Sequence, residues 1–457
     1  MRTVSFVFIS KEAHMLFPER IKSLFSDSVN SVSERISEFA TSPGKDFSRE
    51  RKLPPEKLIR FLVSEGSHST KNELMDFFGM DPDAPSDSAL NQQRAKLRPE
   101  AVEAVFHSFS SSIDGDVGER SKYRYIAADG STITYFSRPC FSPEEYYCSP
   151  GSSAKGCYQM HVNAFYDLRR HTYTDAIIQP VHQKDEFRAF CDIVDRHGVL
   201  PGTQNVYIGD RGYCSYNNMA HVVEKNQYFL FRAKDIDKKG LASRFDYPDS
   251  DSFDVAVKVV LVRTNSKKVQ VTDGYRRFVD KASSFDFAGY GSNETYTLAF
   301  RVVRFALPGG SYECLVTNLP ADEFPPERLK ELYFLRWGEE TSFRKLKYTI
   351  GLSNFHSYKP DYVKQEIWAR LTAYNITETM INNTVIEQRD TKHSYKVNFS
   401  VAAHVCRHFL QPFSQVLAEN VIRLLQKELI PIRNERKYPR LQTAHFRRPR
   451  YFIYRPA

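Results

Sequence analysis

The sequence predicts an α/β protein in which a mixed β-sheet is flanked by helices, with helical regions before and after it. Two patterns in the 457-residue chain support this fold class. From about residue 121, short apolar strands alternate with helical segments, and acidic residues follow two of the strands. Outside that part, the spacing of apolar residues is helical. The composition, 41% hydrophobic and 26% charged, is typical of a globular protein.

Residues 1–120 are predicted to form short helices joined by polar breaks. The expected helix starts are marked by prolines or capping residues, namely Pro54-Pro55, Thr70 with Glu73 in a capping box, Ser86 or Ser88, and Pro99. The helix after Ser86 carries side chains able to contact bases and phosphates: Asn91, Gln92, Gln93, Arg94 and Lys96. This favours a helix-turn-helix-like DNA reader, and an ordinary helical bundle with a polar surface fits nearly as well.

Five strands and two helices are predicted between residues 121 and 233. The strands are Arg124–Ala128, Met160–Leu168, Thr172–Gln179, Asn205–Ile208 and Tyr228–Phe231; the helices cover Asp185–His197 and the surroundings of Val222-Val223. The first strand is expected to end at Asp129 and the fourth at Asp210. The sequence therefore predicts a mixed sheet with an aspartate at the end of each of two strands.

The remaining segments are predicted from the same kinds of pattern. Residues 234–310 contain β-type runs at Phe253–Val262 and Thr295–Ala306. A strand over Tyr312–Thr317 precedes a long helix from about Glu327 to Lys347. From Tyr358 the chain is predicted to be helical up to a basic tail.

Four polar residues of the long helix fall on one stripe. Tyr333, Arg336, Glu340 and Lys347 lie within roughly 60° of each other at about 100° per residue. A carboxylate in such a stripe can hold a divalent cation, while Arg and Lys can bind phosphates. A solvated helix face with ion pairs is the common alternative. The functional interpretation is favoured because two further acids, Asp129 and Asp210, are predicted at strand ends.

Asp129, Asp210 and Glu340 are therefore the predicted catalytic and metal-binding residues. Carboxylates around two Mg²⁺ or Mn²⁺ ions are a standard apparatus for phosphodiester hydrolysis and transfer. Each aspartate taken alone is more often part of a turn. The prediction depends on the combination of the three acids.

The charge distribution favours a nucleic-acid partner. The formal net charge of +9 is modest, but the last 25 residues concentrate cations and aromatic rings. Seven cysteines without a CxxC pair favour a reducing compartment, and the spacing of Cys140, Cys148, Cys157 and His161 does not fit the usual zinc sites. Without a signal peptide or an apolar run of membrane-spanning length, we expect no membrane partner and a cytoplasmic location.

These motifs resemble those of the DDE transposases of bacterial insertion sequences, specifically the IS-four type. That type carries a Tyr-x2-Arg-x3-Glu-x6-Lys signature, which Tyr333, Arg336, Glu340 and Lys347 match in spacing. The first aspartate of the family follows the first strand of a ribonuclease-H-like sheet, as Asp129 does. The second commonly stands in Asp-Arg-Gly-Tyr, as in residues 210–213. Glu339 stands where family members often have a hydrophobic residue.

The resemblance implies a role for each matched residue. Asp129, Asp210 and Glu340 would bind two Mg²⁺ or Mn²⁺ ions. Tyr333, Arg336, Lys347 and Arg211 would contact DNA. Tyr312 stands where some relatives place an aromatic ring that stacks on an extruded base, although a strand aromatic that packs the sheet is the more frequent case.

The resemblance also implies the organisation and activity of the protein. The expected domains are a helical DNA-binding domain (1–120), a ribonuclease-H-like catalytic domain (121–233 and 311–357), a β-rich insertion (234–310) and a helical C-terminal region with a basic tail (358–457). The expected activity is cut-and-paste transposition by a nucleoid-associated bacterial homodimer on double-stranded DNA, at terminal inverted repeats and target DNA. The alternatives are a transposase-derived DNA-binding protein without cleavage activity and a phosphohydrolase of small phosphoesters.

Overall fold

The computed structural model describes residues 15–116, 121–149, 156–307, 310–387 and 393–432. The predicted basic tail, residues 433–457, lies outside the described residues, and its role stays a prediction. Within the described ranges, no helix has the length and apolar character needed to cross a membrane.

Six helices make up the N-terminal part of the described chain. They are α1 (Phe17–Glu34), α2 (Ile36–Phe39), α3 (Pro55–Ser64), α4 (Thr70–Phe77), α5 (Asp87–Arg94) and α6 (Pro99–Asp116). The predicted starts at Pro55, Ser86 and Pro99 are confirmed. The predicted cap at Thr70 is wrong by one residue, because the Ser69 hydroxyl accepts the Asn72 N–H and leaves Thr70 as the first helical residue.

Ten strands form one mixed sheet among the described residues, which confirms the predicted fold class. The strands are β1 (Tyr123–Tyr135), β2 (Tyr147–Cys148), β3 (Cys157–Asp167), β4 (Thr172–Pro180), β5 (Gln204–Gly209), β6 (Tyr228–Ala233), β7 (Phe253–Val262), β8 (Tyr275–Phe278), β9 (Thr295–Leu307) and β10 (Ser311–Thr317). Their order is β2-β3-β1-β5-β6-β10-β9-β7-β8. Strand β4 pairs with β3 on the side that faces away from β1. Strands β1, β5 and β6 are parallel, and β3 is antiparallel to β1.

Strand β1 continues past the predicted end at Asp129. Its pairing with β5 stops at Ala128, opposite Gly209, whereas its pairing with β3 continues to Tyr135. The prediction of a strand end at Asp129 is therefore wrong for the strand as a whole. Asp129 instead lies where β1 loses one of its two neighbours, since β5 ends before Asp210.

The strands between residues 234 and 310 extend the same sheet. Strand β9 pairs with β10 on one side and with β7 on the other, both antiparallel. The β-type runs predicted here are confirmed as β7 and β9. The proposed boundaries of separate domains stay a prediction.

Helices cover both faces of the sheet next to β1 and β5. Helices α7 (Glu186–Arg196) and α8 (Tyr216–Glu224) pack on one face, in a cluster that includes Ile126 and Tyr207. On the other face, Ala127 and Ile208 share a core with α9 (Pro326–Leu335) and α11 (Pro360–Asn382). Because neighbouring strand residues point to opposite faces, Asp129 and Asp210 lie on the α9 side.

The long helix predicted from Glu327 to Lys347 is divided. Helix α9 ends at Leu335, α10 (Trp337–Lys345) follows Arg336, and residues Leu346–Ile350 form a π-helical turn. At the division, the Arg336 N–H bonds to the Tyr333 carbonyl and the Glu339 N–H to the Arg336 carbonyl. This i−3 spacing tightens one turn without changing the direction of the chain, because Arg336 keeps right-handed helical dihedrals.

The C-terminal described part is mainly helical. After α11 come α12 (Phe399–Leu410) and α13 (Ala418–Lys427). The prediction of helix alone is wrong for two short strands, β11 (Tyr395–Val397) and β12 (Leu429–Pro431). These strands pair with each other across α12 and α13, a long-range contact that local residue spacing does not encode.

Candidate active site

Asp129 and Asp210 are neighbours at one edge of the sheet. They follow Ala128 and Gly209, which are partners in the parallel β1–β5 register. Their backbones are therefore about one strand spacing apart, roughly 5 Å. Asp129 Oδ1 accepts the N–H of Gly130 at 2.8 Å, and Asp210 Oδ1 accepts the N–H of Gly212 at 2.7 Å.

The junction of α9 and α10 lies against the same edge. Arg336 Nη2 is 3.7 Å from Glu340 Oε1, and the Arg336 guanidinium is buried near the rings of Tyr333 and Trp337. Lys347 Nζ donates to the backbone carbonyl of Thr132 at 3.3 Å, three residues beyond Asp129. The segment that carries the four signature residues therefore contacts β1 directly through Lys347.

The pKa of Asp129 reflects the charged groups that lie near it. Burial raises the pKa of Asp129 to about 6, and the charges of Asp210 and Glu340 act in the same direction. The Gly130 N–H and the charge of Arg336 oppose the increase in pKa. Burial lowers the pKa of Lys347, which the charge of Asp129 opposes. The structure therefore brings the three predicted acids together with Arg336 and Lys347.

The other three predicted site residues have different surroundings. Tyr333 is buried next to Arg336, and Arg211 is exposed directly after Asp210. Tyr312 is the second residue of β10, which lies three strands from β1 in the sheet. The Arg304 guanidinium covers its ring at 3.7 Å from the centroid, and its hydroxyl donates to Asp251 Oδ1 at 2.6 Å. A stacking role for Tyr312 stays a prediction, and it would have to use the ring face away from Arg304.

Glu339 is a site residue that sequence reasoning considered only as a rival of Glu340. Its side chain is fully buried, whereas that of Glu340 is 41% exposed. Burial raises the pKa of Glu339 well above its usual value, and the charges of Asp129 and Asp210 add to the effect. The signal in the sequence was the replacement of an expected hydrophobic residue by an acid.

A second polar group supports the site from the opposite face of the sheet. His161 Nε2 lies 3.0 Å from Glu186 Oε1, and Thr132 Oγ1 is 3.1 Å from His161 Nδ1. Lys184 Nζ also contacts Glu186 at 2.7 Å. The contacts with His161 and Lys184 lower the pKa of Glu186 to about 2 despite burial. No local motif predicted this group, because its members come from β1, β3, the segment before α7 and the first residue of α7.

Two residues of the predicted DNA-reading helix are structural. Arg94 is 1% exposed and donates to Gln365 Oε1, the Tyr362 carbonyl and Glu366 Oε1. Gln93 is also buried. The prediction that these two side chains address DNA is wrong, because both are buried and Arg94 is held by residues of α11.

Glu366 belongs to a second acidic group, away from the sheet edge. Ligand-type atoms of Glu65, His356 and Glu366 lie within 4.8 Å of one another. The positive charges of Arg94 and Arg370 act on both glutamates. Two arginines balance two carboxylates without a metal ion, so we interpret this group as a structural link between the α3–α4 loop and α11.

Comparisons with known proteins place part of the chain in one protein family. A sequence profile of the transposase DDE domain family matches residues 120–376, more than half of the chain. The transposase InsG of insertion sequence element IS4 from Escherichia coli (strain K12) is 26% identical over 153 residues, 31% of this chain and 34% of InsG. The transposase of insertion sequence element IS421 from Escherichia coli is 32% identical over 75 residues, 16% of this chain and 20% of that protein.

The match to these curated relatives is partial, since the chain spans about a third of the length of one and a fifth of the other. Among solved structures, a cryo-EM structure of a piggyBac transposase synaptic complex with hairpin DNA is similar with a TM-score of 0.43. The sequence identity is 10%, and the alignment covers 89% of this chain and 85% of that one.

Proposed function

The chain belongs to the transposase DDE domain family, and from this premise we propose that it is a DNA transposase that cuts at transposon ends and transfers the released strand. The observation that carries the proposal is the convergence of Asp129, Asp210 and Glu340. These acids come from distant parts of the chain and share one sheet edge, where each of the latter two influences the pKa of Asp129.

The donor atoms fit divalent metal ions. All three acids offer carboxylate oxygens, the ligands that Mg²⁺ and Mn²⁺ prefer. Three carboxylates beside Arg336 and Lys347 leave an excess of negative charge that a cation offsets. Two bound ions would activate a water or a 3′-hydroxyl and stabilise the leaving oxygen. In this proposal Asp129, Asp210 and Glu340 hold the ions, and Arg336 keeps the Glu340 carboxylate near them.

We assign the part of the sheet around β1 to the ribonuclease-H-like class. Strands β1, β3 and β4 form an antiparallel meander, and β5 and β6 follow as parallel strands on the other side of β1. This arrangement supports a catalytic domain built from residues 121–233 and 311–357. The helical DNA-binding domain, the β-rich insertion and the helical C-terminal region complete the proposed organisation.

The surface beside the acids supports double-stranded DNA as the substrate. Three exposed aromatic residues lie in α9, α10 and the π-helical turn after them: Phe334, Trp337 and Tyr348, with exposed fractions of 70%, 41% and 66%. Exposed aromatic faces suit stacking on bases, and exposed cations such as Arg344 and Arg211 suit neutralisation of phosphates. In the proposed complex Arg336, Lys347 and Arg211 contact the DNA, with Tyr333 supporting Arg336, and a homodimer pairs two inverted repeats.

The test is strand cleavage and transfer on DNA that carries the terminal repeats of the element, with Mg²⁺ or Mn²⁺. We expect wild type to cut at the repeat boundary. Asp129→Asn, Asp210→Asn and Glu340→Gln should bind the same DNA and not cut it. Glu331→Gln is the matched control, because Glu331 is an exposed acid nine residues before Glu340. Binding by wild type without cleavage in either metal would instead establish the DNA-binding protein without cleavage activity.

A further inference from the structure

Glu339 is a buried acid for which the described residues provide no side-chain hydrogen-bond donor. Its side chain is fully buried in α10, and among the described residues only the backbone N–H of Asp129 lies close enough to act on its carboxylate, without the geometry of a regular hydrogen bond. A buried carboxylate without a partner is costly, and nearly all buried polar groups in native proteins are paired. Glu339 therefore requires a physical explanation.

The hydroxyl groups near Glu339 are committed to other acceptors. Ser342 Oγ donates to the backbone carbonyl of Glu339 at 2.7 Å and lies 2.8 Å from the Tyr173 hydroxyl. The Tyr166 hydroxyl lies 3.2 Å from that of Tyr374. These contacts leave none of the named hydroxyl groups to donate to the carboxylate oxygens of Glu339.

The ionisable neighbours of Glu339 are the acids of the proposed metal centre. The charges of Asp129 and Asp210 act on its carboxylate, and Arg336 is the cation that opposes them. Glu339 and Glu340 are consecutive in α10, so their side chains leave the helix about 100° apart. One comes from the buried side of the site and the other from the solvent side.

We propose that Glu339 is a fourth carboxylate of the divalent-metal centre, in addition to Asp129, Asp210 and Glu340. The inference rests on the proposed function, because it assumes a metal ion at this sheet edge. A cation there would give the Glu339 oxygens a direct positive partner in addition to the charge of Arg336. The lack of a side-chain donor, the burial of the carboxylate and its contact with Asp129 all support the assignment.

The alternative is a purely structural Glu339, and a leucine distinguishes the two. If the carboxylate has no ligand to hold, Glu339→Leu fills the same buried space with an apolar group and leaves metal binding unchanged. If it is a metal ligand, the same substitution maintains or raises the unfolding temperature and weakens metal binding. Glu339→Gln removes the charge at nearly constant shape and is the second variant.

The experiment is a Mn²⁺ titration of the full-length protein bound to a terminal-repeat duplex, with free Mn²⁺ measured by electron paramagnetic resonance. Asp129→Asn and Asp210→Asn are the reference variants, and Glu331→Gln controls for loss of one surface charge. Thermal unfolding of each variant checks the fold. We expect Glu339→Leu and Glu339→Gln to weaken Mn²⁺ binding by roughly 10- to 100-fold, as loss of a metal-site group does.

The inference is overturned if both Glu339 variants bind Mn²⁺ within twofold of wild type while the two aspartate variants lose binding. In that case the proposed metal centre stands without Glu339. If the aspartate variants also bind like wild type, the metal centre itself is misplaced and both proposals fail. Should Glu339→Gln lower the unfolding temperature, the Glu339→Leu titration decides.

Discussion

Gly130 follows Asp129 in β1 at a position where neighbouring side chains leave no space for a Cβ atom. Such an atom would lie 2.4 Å from His161 Nε2 and 3.0 Å from Glu186 Oε1. We expect Gly130→Ala to displace the Asp129 carboxylate and to slow strand cleavage by roughly 100-fold, the effect of a small misplacement in an active site. Single-turnover cleavage and DNA binding would be measured together. Gly198→Ala is the control, because nothing lies within 4 Å of its Cβ; equal rates for both variants would contradict the prediction.

His197 provides a residue-scale prediction about pH. Burial lowers its pKa from 6.5 to about 4, and the charge of Arg124 adds to the effect. Between these values the unfolded chain binds a proton that the folded protein does not. The contribution of His197 to stability is therefore complete above pH 6.5 and is lost as pH falls towards 4.

The direction of this pKa shift predicts how the free energy of unfolding changes with pH. The free energy of unfolding of wild type should fall faster than that of His197→Gln between pH 6.5 and 4, by up to about 1.4 kcal/mol per pH unit. Urea unfolding at several pH values measures the difference. The exposed His182, changed to Gln, is the matched control for loss of a histidine. Parallel slopes for wild type and His197→Gln would show that the imidazole titrates normally.

At the scale of elements, one tighter helical turn at Arg336 separates α9 from α10, and the chain keeps its direction across this turn. Gly338 stands just after it, and a Cβ there would meet only Leu168 Cδ2, at an ordinary 3.8 Å. Gly338→Ala should therefore stabilise the helix by about 0.5–1 kcal/mol. Chemical denaturation would measure this, with strand cleavage retained. A loss of stability would mean that the glycine is needed for the i−3 turn at Arg336.

At the scale of the whole molecule, the N-terminal helices and α11 share one hydrophobic core. Arg94 of α5 and Glu366 of α11 form a buried ion pair at 3.1 Å within it. Arg94→Met leaves the Glu366 carboxylate without this partner and should lower the free energy of unfolding by about 3–5 kcal/mol. Gln92→Ala, on the exposed face of α5, should change it by less than about 0.5 kcal/mol. Equal effects of the two variants would mean that α5 does not depend on α11.

The predictable part of the fold follows from local spacing. Apolar residues of Asp185–His197 predicted α7 to within one residue at each end, with Asp185 as its N-cap. The run Phe253–Val262 predicted β7 at its observed bounds. The errors occur where pairing with a distant segment of the chain determines whether a residue belongs to a strand. Strand β1 continues beyond Asp129 because β3 pairs with it, and β11 is a strand because β12 lies beside it.

The sequence by itself determined the candidate chemistry, because the spacing of Tyr333, Arg336, Glu340 and Lys347 belongs to one continuous segment of the chain and needs no tertiary contact to be recognised. Only the tertiary structure decided how Asp129 and Asp210 become neighbours, through the pairing of Ala128 with Gly209. It also decided that Arg94 is buried and that Glu339 is fully buried beside Asp129, with no side-chain hydrogen-bond donor among the described residues. Burial and register depend on which distant segments meet, and residue periodicity carries no information about that.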